Sequence, residues 1–293
     1  MEIKTILTAA AAVVAVGLWA YMMLYEQFRL QVRELELSFP NLPEAFDGYT
    51  ILHLSDLHIT KLGKLERRTM EILRGREVDA CFITGDVTAE PRASDIFRRV
   101  CAAIPHRDAI YTVLGNSEHK PWLDEKMLAQ ALTFQGQELL INASTTIRRG
   151  DAHIRVVGVD DAYSRLADLE AAFAGVDPSE FTVLLSHCPS VTPQAIERGA
   201  DLILSGHTHG GQVRFPLVGA LYTHMRANKA LNDGLFTPIR LARTLKIDPG
   251  HSTLFVSRGV GTSRIHIRFL CPPEIVYITL KRVWANPRPS SGR

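Results

Sequence analysis

Apolar residues are spread along this chain in two different ways. From Thr5 to Tyr25 they run almost unbroken, and TILTAAAAVVAVGLWAYMMLY contains no charged residue. A helix crossing the ~30 Å hydrocarbon core of a bilayer needs ~20 such residues. Trp19, Tyr21 and Tyr25 gather at the C-terminal end of the run, where amphipathic rings favour the lipid–water boundary. A cleaved leader would have a shorter apolar core and a small-x-small cleavage site. Bulky Trp19, Tyr21 and Met22 occupy that region instead. The pattern predicts a retained single-pass membrane anchor over residues 1–26. Lys4 precedes it, and Arg29 and Arg33 follow it, so the flanking charges leave its orientation nearly balanced.

Residues 27–47 read as a polar linker that includes Pro40-Asn41-Leu42-Pro43. Over 48–283 the pattern becomes one of short apolar runs alternating with amphipathic ones, and residues 284–293 form a polar tail. Tyr49–Ser55, Ala80–Thr84, Ile110–Leu114, Ile154–Val159, Thr182–Ser186, Leu202–Ser205, Leu254–Ser257 and Val276–Leu280 have the composition and length of buried strands. Between them Leu65, Thr69, Ile72 and Leu73 share one helical face, as do Ile96, Val100 and Ile104. Thr192 as N-cap, Pro193 as first helical residue and Gly199 as stop frame another helix. Repeated strand, loop and helix predicts an α/β fold of layered, buried sheets.

Composition narrows the picture only slightly. The net charge of +2 and the short Arg98-Arg99 and Arg148-Arg149 clusters give no basic stripe, so nucleic acid is not an expected partner. Cys81, Cys101, Cys188 and Cys271 form no C-x-x-C pair and read as reduced thiols. Nothing in the sequence fixes an oligomeric state.

The polar residues sit where the apolar runs stop. Five runs end in Ser55-Asp56-Leu57-His58, Gly85-Asp86, Gly115-Asn116, Ser186-His187 and Ser205-Gly206-His207-Thr208-His209-Gly210-Gly211. A lone Asp after a strand is ordinarily a turn residue. Five strand ends that each deliver a carboxylate, an amide or an imidazole describe a site built at the carboxyl edge of sheets. Asp56, His58, Asp86, Asn116, His187, His207 and His209 are oxygen and nitrogen ligands without sulfur. That set suits Mn²⁺, Fe or Zn²⁺ better than Ca²⁺. Seven ligands exceed the four of a structural zinc and are enough for two divalent transition-metal ions, Mn²⁺ being the first expectation. Such a pair can clamp the oxygens of an in-line displacement at phosphorus.

These blocks, in this order, resemble the calcineurin-like metallophosphoesterase family over about residues 48–283. The resemblance implies a four-layer αββα sandwich of two mixed sheets. It also implies that Asp56, His58 and His209 bind one metal, that Asp86 bridges, and that Asn116, His187 and His207 bind the second. Ser257–Ser263, Arg268–Glu274 and Gly210-Gly211-Gln212-Val213-Arg214 resemble a branch whose members are often tethered to membranes. Some of these resemble hydrolases that cleave UDP-2,3-diacylglucosamine to lipid X and UMP in lipid A synthesis. The resemblance thus implies a lipid-linked phosphate substrate and a catalytic domain on the cytoplasmic side of the inner membrane.

One departure bears on mechanism. The family's third motif usually reads Gly-Asn-His-Asp/Glu, its histidine giving a proton to the leaving oxygen. Here the sequence is Gly115-Asn116-Ser117-Glu118-His119, and a serine hydroxyl supplies no proton near neutral pH. Either His119 replaces the missing imidazole, or the substrate has a leaving group good enough to need no acid. Apolar and basic residues interleave over Val213–Ile247, which reads as a flap toward anionic lipid or as an ordinary covering subdomain. Arg214, Arg258, Arg264 and Arg268 are expected at the substrate phosphates. His53 is expected to be packed, and His224, His251 and His266 have no place assigned. Two alternatives stay open: a generic phosphodiesterase, phosphoprotein phosphatase or nuclease of the same family, and an inactive metal-binding module.

Overall fold

The computed structural model describes residues 3–88, 90–120, 133 and 136–283. Every run predicted as a strand forms one: β2 Thr50–Leu54, β3 Ala80–Thr84, β4 Ile110–Val113, β7 Ala152–Gly158, β8 Thr182–Leu185, β9 Leu202–Ser205, β13 Thr253–Val256 and β14 Glu274–Arg282. Strands absent from that reading complete the sheets: β1 Gln31–Phe39, β5 Gln137–Leu139, β6 Ala143–Arg149 and β12 Gly234–Phe236. A short hairpin, β10 Arg214–Phe215 and β11 Gly219–Ala220, stands apart.

One sheet has the order β1-β14-β2-β3-β4-β5 and the other β12-β13-β9-β8-β7-β6. Both are mixed: β2, β3, β4 and β5 run parallel while β14 opposes β2, and β13, β9, β8 and β7 run parallel while β12 and β6 oppose their neighbours. Alternation explains why the runs look continuously apolar. Ile51, Ala80 and Phe82 meet Val183, Leu202 and Phe255 between the sheets. Leu52, Leu54, Cys81 and Ile83 point the other way, toward helices Lys64–Arg74 and Ser94–Cys101. The second sheet is covered by Ala172, Ala195 and Leu241 from three further helices. Strands buried on both faces carry no polar face, and the result is the four-layer αββα arrangement.

Residues 27–47 are not a linker. β1 pairs in parallel with β14 across nine positions, and Phe39, Leu42 and Phe46 are buried in the inter-sheet core. The strand escaped notice because Glu34, Glu36 and Ser38 face solvent from an edge position, where charge discourages further strand pairing. The helix expected from Thr192 to Gly199 spans Thr192–Glu197, and the Thr192 hydroxyl donates to the Pro189 carbonyl (2.7 Å) instead of capping. All four cysteines are buried and unpaired.

The N-terminal apolar run is a helix, Ile3–Leu24, with none of its residues buried against the rest of the chain. It is long and apolar enough to cross a membrane. Its end is fixed to the domain: Glu26 is buried and accepts the Cys271 N–H (2.8 Å), and Tyr21 meets the Phe269 ring edge-on with centroids 6.5 Å apart. The polar tail expected over 284–293 lies outside the described residues.

Candidate metal centre

The strand-end residues converge. Asp56, His58 and His209 offer ligand atoms within 4.8 Å of one another, and so do Asp56, Asp86 and His187. Asp86 spans the two groups, with Oδ2 3.4 Å from His58 Nε2 and Oδ1 3.4 Å from His187 Nε2. His209 Nε2 lies 3.2 Å from Asp56 Oδ1 and 3.1 Å from His58 Nε2. His207 Nδ1 lies 3.1 Å from His187 Nε2. Asn116, with Asp86, His207 and His209, lines a small inner cavity of about 40 Å³. The structure thus brings Asp56, His58, Asp86, His187 and His209 together, with His207 beside His187 and Asn116 on the adjoining cavity.

Backbone strain marks the same positions. Asp56, His58, Asp86, His207 and His209 all have φ between 46° and 68°, the left-handed region that costs a side chain about 1–2 kcal/mol. Such conformations persist where surrounding structure over-determines them. Here the His58 N–H donates to the Asp86 carbonyl (2.9 Å), and the Gly206 N–H to the His187 carbonyl (3.0 Å). Close approach also dictates glycine at 206, where a β-carbon would overlap the Ser55 hydroxyl and the Asp56 carboxylate.

The electrostatics call for positive charge. Burial pushes Asp56 up. Burial would raise Asp86 too, but His187, His58 and the Ser117 N–H outweigh it and hold the carboxyl at about 2. On His187 burial acts downward, yet Asp86, Asp56 and Asp161 lift the imidazole to about 9. The carboxylates thus keep a proton on His187, which a cation would displace. Burial lowers His207 to about 3 and His209 well below the ordinary range. His207 Nε2 and His209 Nδ1 are buried with no hydrogen-bond partner among the described residues. Carboxylate oxygens and neutral imidazole nitrogens turned on one small cavity fit divalent metal ions.

The family model for calcineurin-like phosphoesterases matches residues 49–211, more than half of the chain. The chain belongs to that family. Members are metal-dependent phosphoester hydrolases using divalent metal ions, and the chain is such an enzyme. It is 27% identical to the uncharacterized metallophosphoesterase YkuE of Bacillus subtilis over 93% of both chains. A transmembrane protein with metallophosphoesterase domain from Danio rerio is 26% identical over 94% of this chain and 63% of its own. The UDP-2,3-diacylglucosamine pyrophosphatase LpxG of Chlamydia muridarum is 25% identical over 90% of this chain and 93% of its own. Among solved structures, the Haemophilus influenzae NAD nucleotidase resembles 55% of this chain at 16% identity and a TM-score of 0.39, and the chain spans 38% of that longer molecule.

Within this phosphoesterase the surroundings of the metal centre differ from expectation at several points. Arg264 borders both the inner cavity and the outer cleft of about 440 Å³ that Ser117, Lys120 and His266 also line. The other three arginines are engaged elsewhere. Arg268 is fully buried and donates to the carbonyls of Arg258, Gly259, Gly261 and Cys271. Arg258 forms a two-pronged pair with Asp233 (2.8 and 3.1 Å). Arg214 donates to the Gly210 carbonyl (2.8 Å) and also faces Asp233. These three bind carbonyls and a carboxylate of the glycine-rich loops beside the candidate ligand cluster. His53 is packed as expected, against Phe255 and the Thr84 hydroxyl.

His119 does not line either cavity. Its Nε2 lies 2.6 Å from Asp160 Oδ1, whereas Ser117 faces the cleft with its N–H on Asp86 Oδ1 (2.7 Å). A His119→Asn protein is therefore expected to keep turnover within a few-fold while losing about 1–3 kcal/mol of stability. Steady-state kinetics and urea unfolding check both halves, and a loss of turnover at unchanged stability would restore His119 as the proton donor.

Two contributors were not read from the sequence. Glu118 is buried and accepts four backbone N–H groups, from Asp86, Gly115, Val87 and Thr88. His224 reaches the inner cavity from the long loop after β11 and lies 6.4 Å from the His207 ring. The first could have been found as the acidic residue closing the Gly-Asn motif. For the second there was no local signal.

Proposed function

We propose that this enzyme is a membrane-anchored, dinuclear phosphohydrolase that cleaves a pyrophosphate or phosphodiester bond in a lipid-linked substrate. The observation that carries the reading is the convergence of seven ligand side chains beneath a cleft with no imidazole at the proton-donor position. Asp56, His58 and His209 would hold one metal, Asp86 would bridge, and Asn116, His187 and His207 would hold the second. Mn²⁺ is the first choice, with Fe or Zn²⁺ compatible with the same donors. When bound, the two ions polarise a phosphoryl oxygen and make water nucleophilic at neutral pH.

The chain's own residues decide what can leave. Ser117 offers no acid, while Arg264 and Lys120 at the cleft place positive charge where a departing phosphate would carry its negative charge. A phosphate monoester departing from a pyrophosphate needs no proton, whereas an alkoxide does. General acid catalysis is worth ~10²–10⁴, so simple alkyl phosphodiesters are expected to react slower than aryl esters or pyrophosphates by about that factor. Rates across leaving groups of graded acidity measure it, and equal rates would remove the argument.

The lipid part rests on the candidate membrane span and on likeness to LpxG. Together they favour a nucleoside diphosphate carrying a diacylated sugar, UDP-2,3-diacylglucosamine being the specific candidate. We place the domain on the cytoplasmic face, where Lys64, Arg67 and Arg68 beside Phe28 would meet anionic headgroups. The test is UMP release by the full-length, Mn²⁺-loaded protein in detergent. UDP-2,3-diacylglucosamine is expected to be cleaved, and a nucleotide sugar without acyl chains to be spared. Equal cleavage of both would replace the lipid reading with that of a generic phosphodiesterase.

A further inference from the structure

Leu217 sits at the tip of the β10–β11 hairpin, fully exposed and with φ of 68°. A turn in water ordinarily places glycine or asparagine in that conformation. Val218, Leu221 and Tyr222 beside it are each about 60–70% exposed (69%, 61% and 59%), and Ile265 and Leu270 continue the patch at 58% and 47%. Contiguous exposed apolar surface of this kind marks contact with another phase or partner.

The hairpin is continuous with the exit of the apolar helix. The Arg214 N–H donates to the Phe269 carbonyl (2.9 Å), and the Phe269 N–H to the Gln212 carbonyl (2.8 Å). The Phe269 ring then lies between Phe215, at 5.5 Å between centroids, and Tyr21 near the end of the helix, at 6.5 Å. On its other side the hairpin leads to the metals: Tyr222 contacts His224 (4.5 Å between centroids), and His224 borders the inner cavity with Asp86. An apolar tip tied to the foot of a membrane span has one occupant that fits its chemistry.

We infer that this hairpin, with Ile265 and Leu270, is a second membrane contact, which inserts Leu217 and Val218 at the lipid–water boundary. It holds the mouth of the metal centre against the bilayer, so that a lipid-linked phosphate can enter without leaving the membrane. The inference rests on the anchored reading given above. It is tested in full-length protein reconstituted into phosphatidylcholine–phosphatidylglycerol vesicles, with an environment-sensitive fluorophore on single introduced cysteines. The four native thiols are buried, which makes the labelling selective.

Leu217→Cys reports the hairpin. Ala10→Cys reports the span, and Asp151→Cys reports the exposed β6–β7 turn at the opposite end of the sheet. Emission from positions 217 and 10 is expected to shift to the blue and to lose most of its intensity to spin-labelled lipid, while position 151 shows neither. Quenching at 10 with 217 behaving like 151 would overturn the second contact and leave the anchor standing. A blue shift at 217 without lipid quenching would mean that protein covers the hairpin, and would overturn it as well. No quenching at 10 would sink the anchored reading itself.

Discussion

Replacing Asp86 by asparagine is expected to lower phosphoester turnover about a thousandfold or more, ~4 kcal/mol of transition-state stabilisation, with little change in the metal-free fold. The amide oxygen can still accept the Ser117 N–H that Asp86 Oδ1 accepts at 2.7 Å, so the loop geometry survives. The negative charge does not. Asp86 is the group that reaches both His58 and His187, and it is the leading influence holding His187 in its charged form against burial. Without it the cluster loses one of its two carboxylates and keeps Asp56 as the other. Metal content per chain, measured by mass spectrometry after dialysis, is expected to fall from two to one or fewer in parallel with activity. Full activity in Asp86→Asn would remove the dinuclear reading, because that reading makes Asp86 the bridge between the two ions.

That centre could be read before the structure for a physical reason. A buried parallel strand is an apolar run, and its carboxyl end is the first place where the chain can turn polar. Asp56, Asp86, Asn116, His187 and His207 all fall within three residues beyond such an end. Arg264 borders the cavity as expected, while Arg214, Arg258 and Arg268 are engaged elsewhere for an equally physical reason. Sequence shows a guanidinium but not its partner, and Arg268 serves four backbone carbonyls in the interior while Arg258 neutralises Asp233. β1 was missed because an edge strand needs only one apolar face, and its Arg33, Glu34 and Glu36 make it resemble a connector. His224 arrives through the loop after β11 and meets the His207 ring from there. No periodicity announces a contact of that kind.

Glu118 gives the other large expectation, because it joins the two loops that present Asp86 and Asn116. Its Oε2 accepts the N–H groups of Asp86 (3.0 Å) and Gly115 (2.7 Å), and its Oε1 those of Val87 (2.8 Å) and Thr88 (3.1 Å). Burial, followed by the nearby Asp86 charge, pushes its carboxyl up to about 8, and the N–H groups of Gly115 and Thr88 act in the opposite direction. Glu118→Ala orphans all four donors in the interior. At about 1–3 kcal/mol for each unsatisfied group, the loss is on the order of 4 kcal/mol or more, enough to unfold a marginal domain. Glu118→Gln keeps the volume and one acceptor oxygen but turns an NH₂ toward two of the N–H groups. It is expected to fold with reduced stability and to bind metal ~10–100-fold more weakly, as when the groups that orient metal ligands are removed. Urea unfolding of the metal-free protein and metal titration separate the two effects. A Glu118→Gln protein that kept both its unfolding midpoint and its metal affinity would show that the Gly85-Asp86 and Gly115-Asn116 loops hold their strained shape without the carboxylate. The positive φ of Asp86 would then have to be enforced by its other contacts, the His58 N–H on its carbonyl and the Ser117 N–H on its carboxylate.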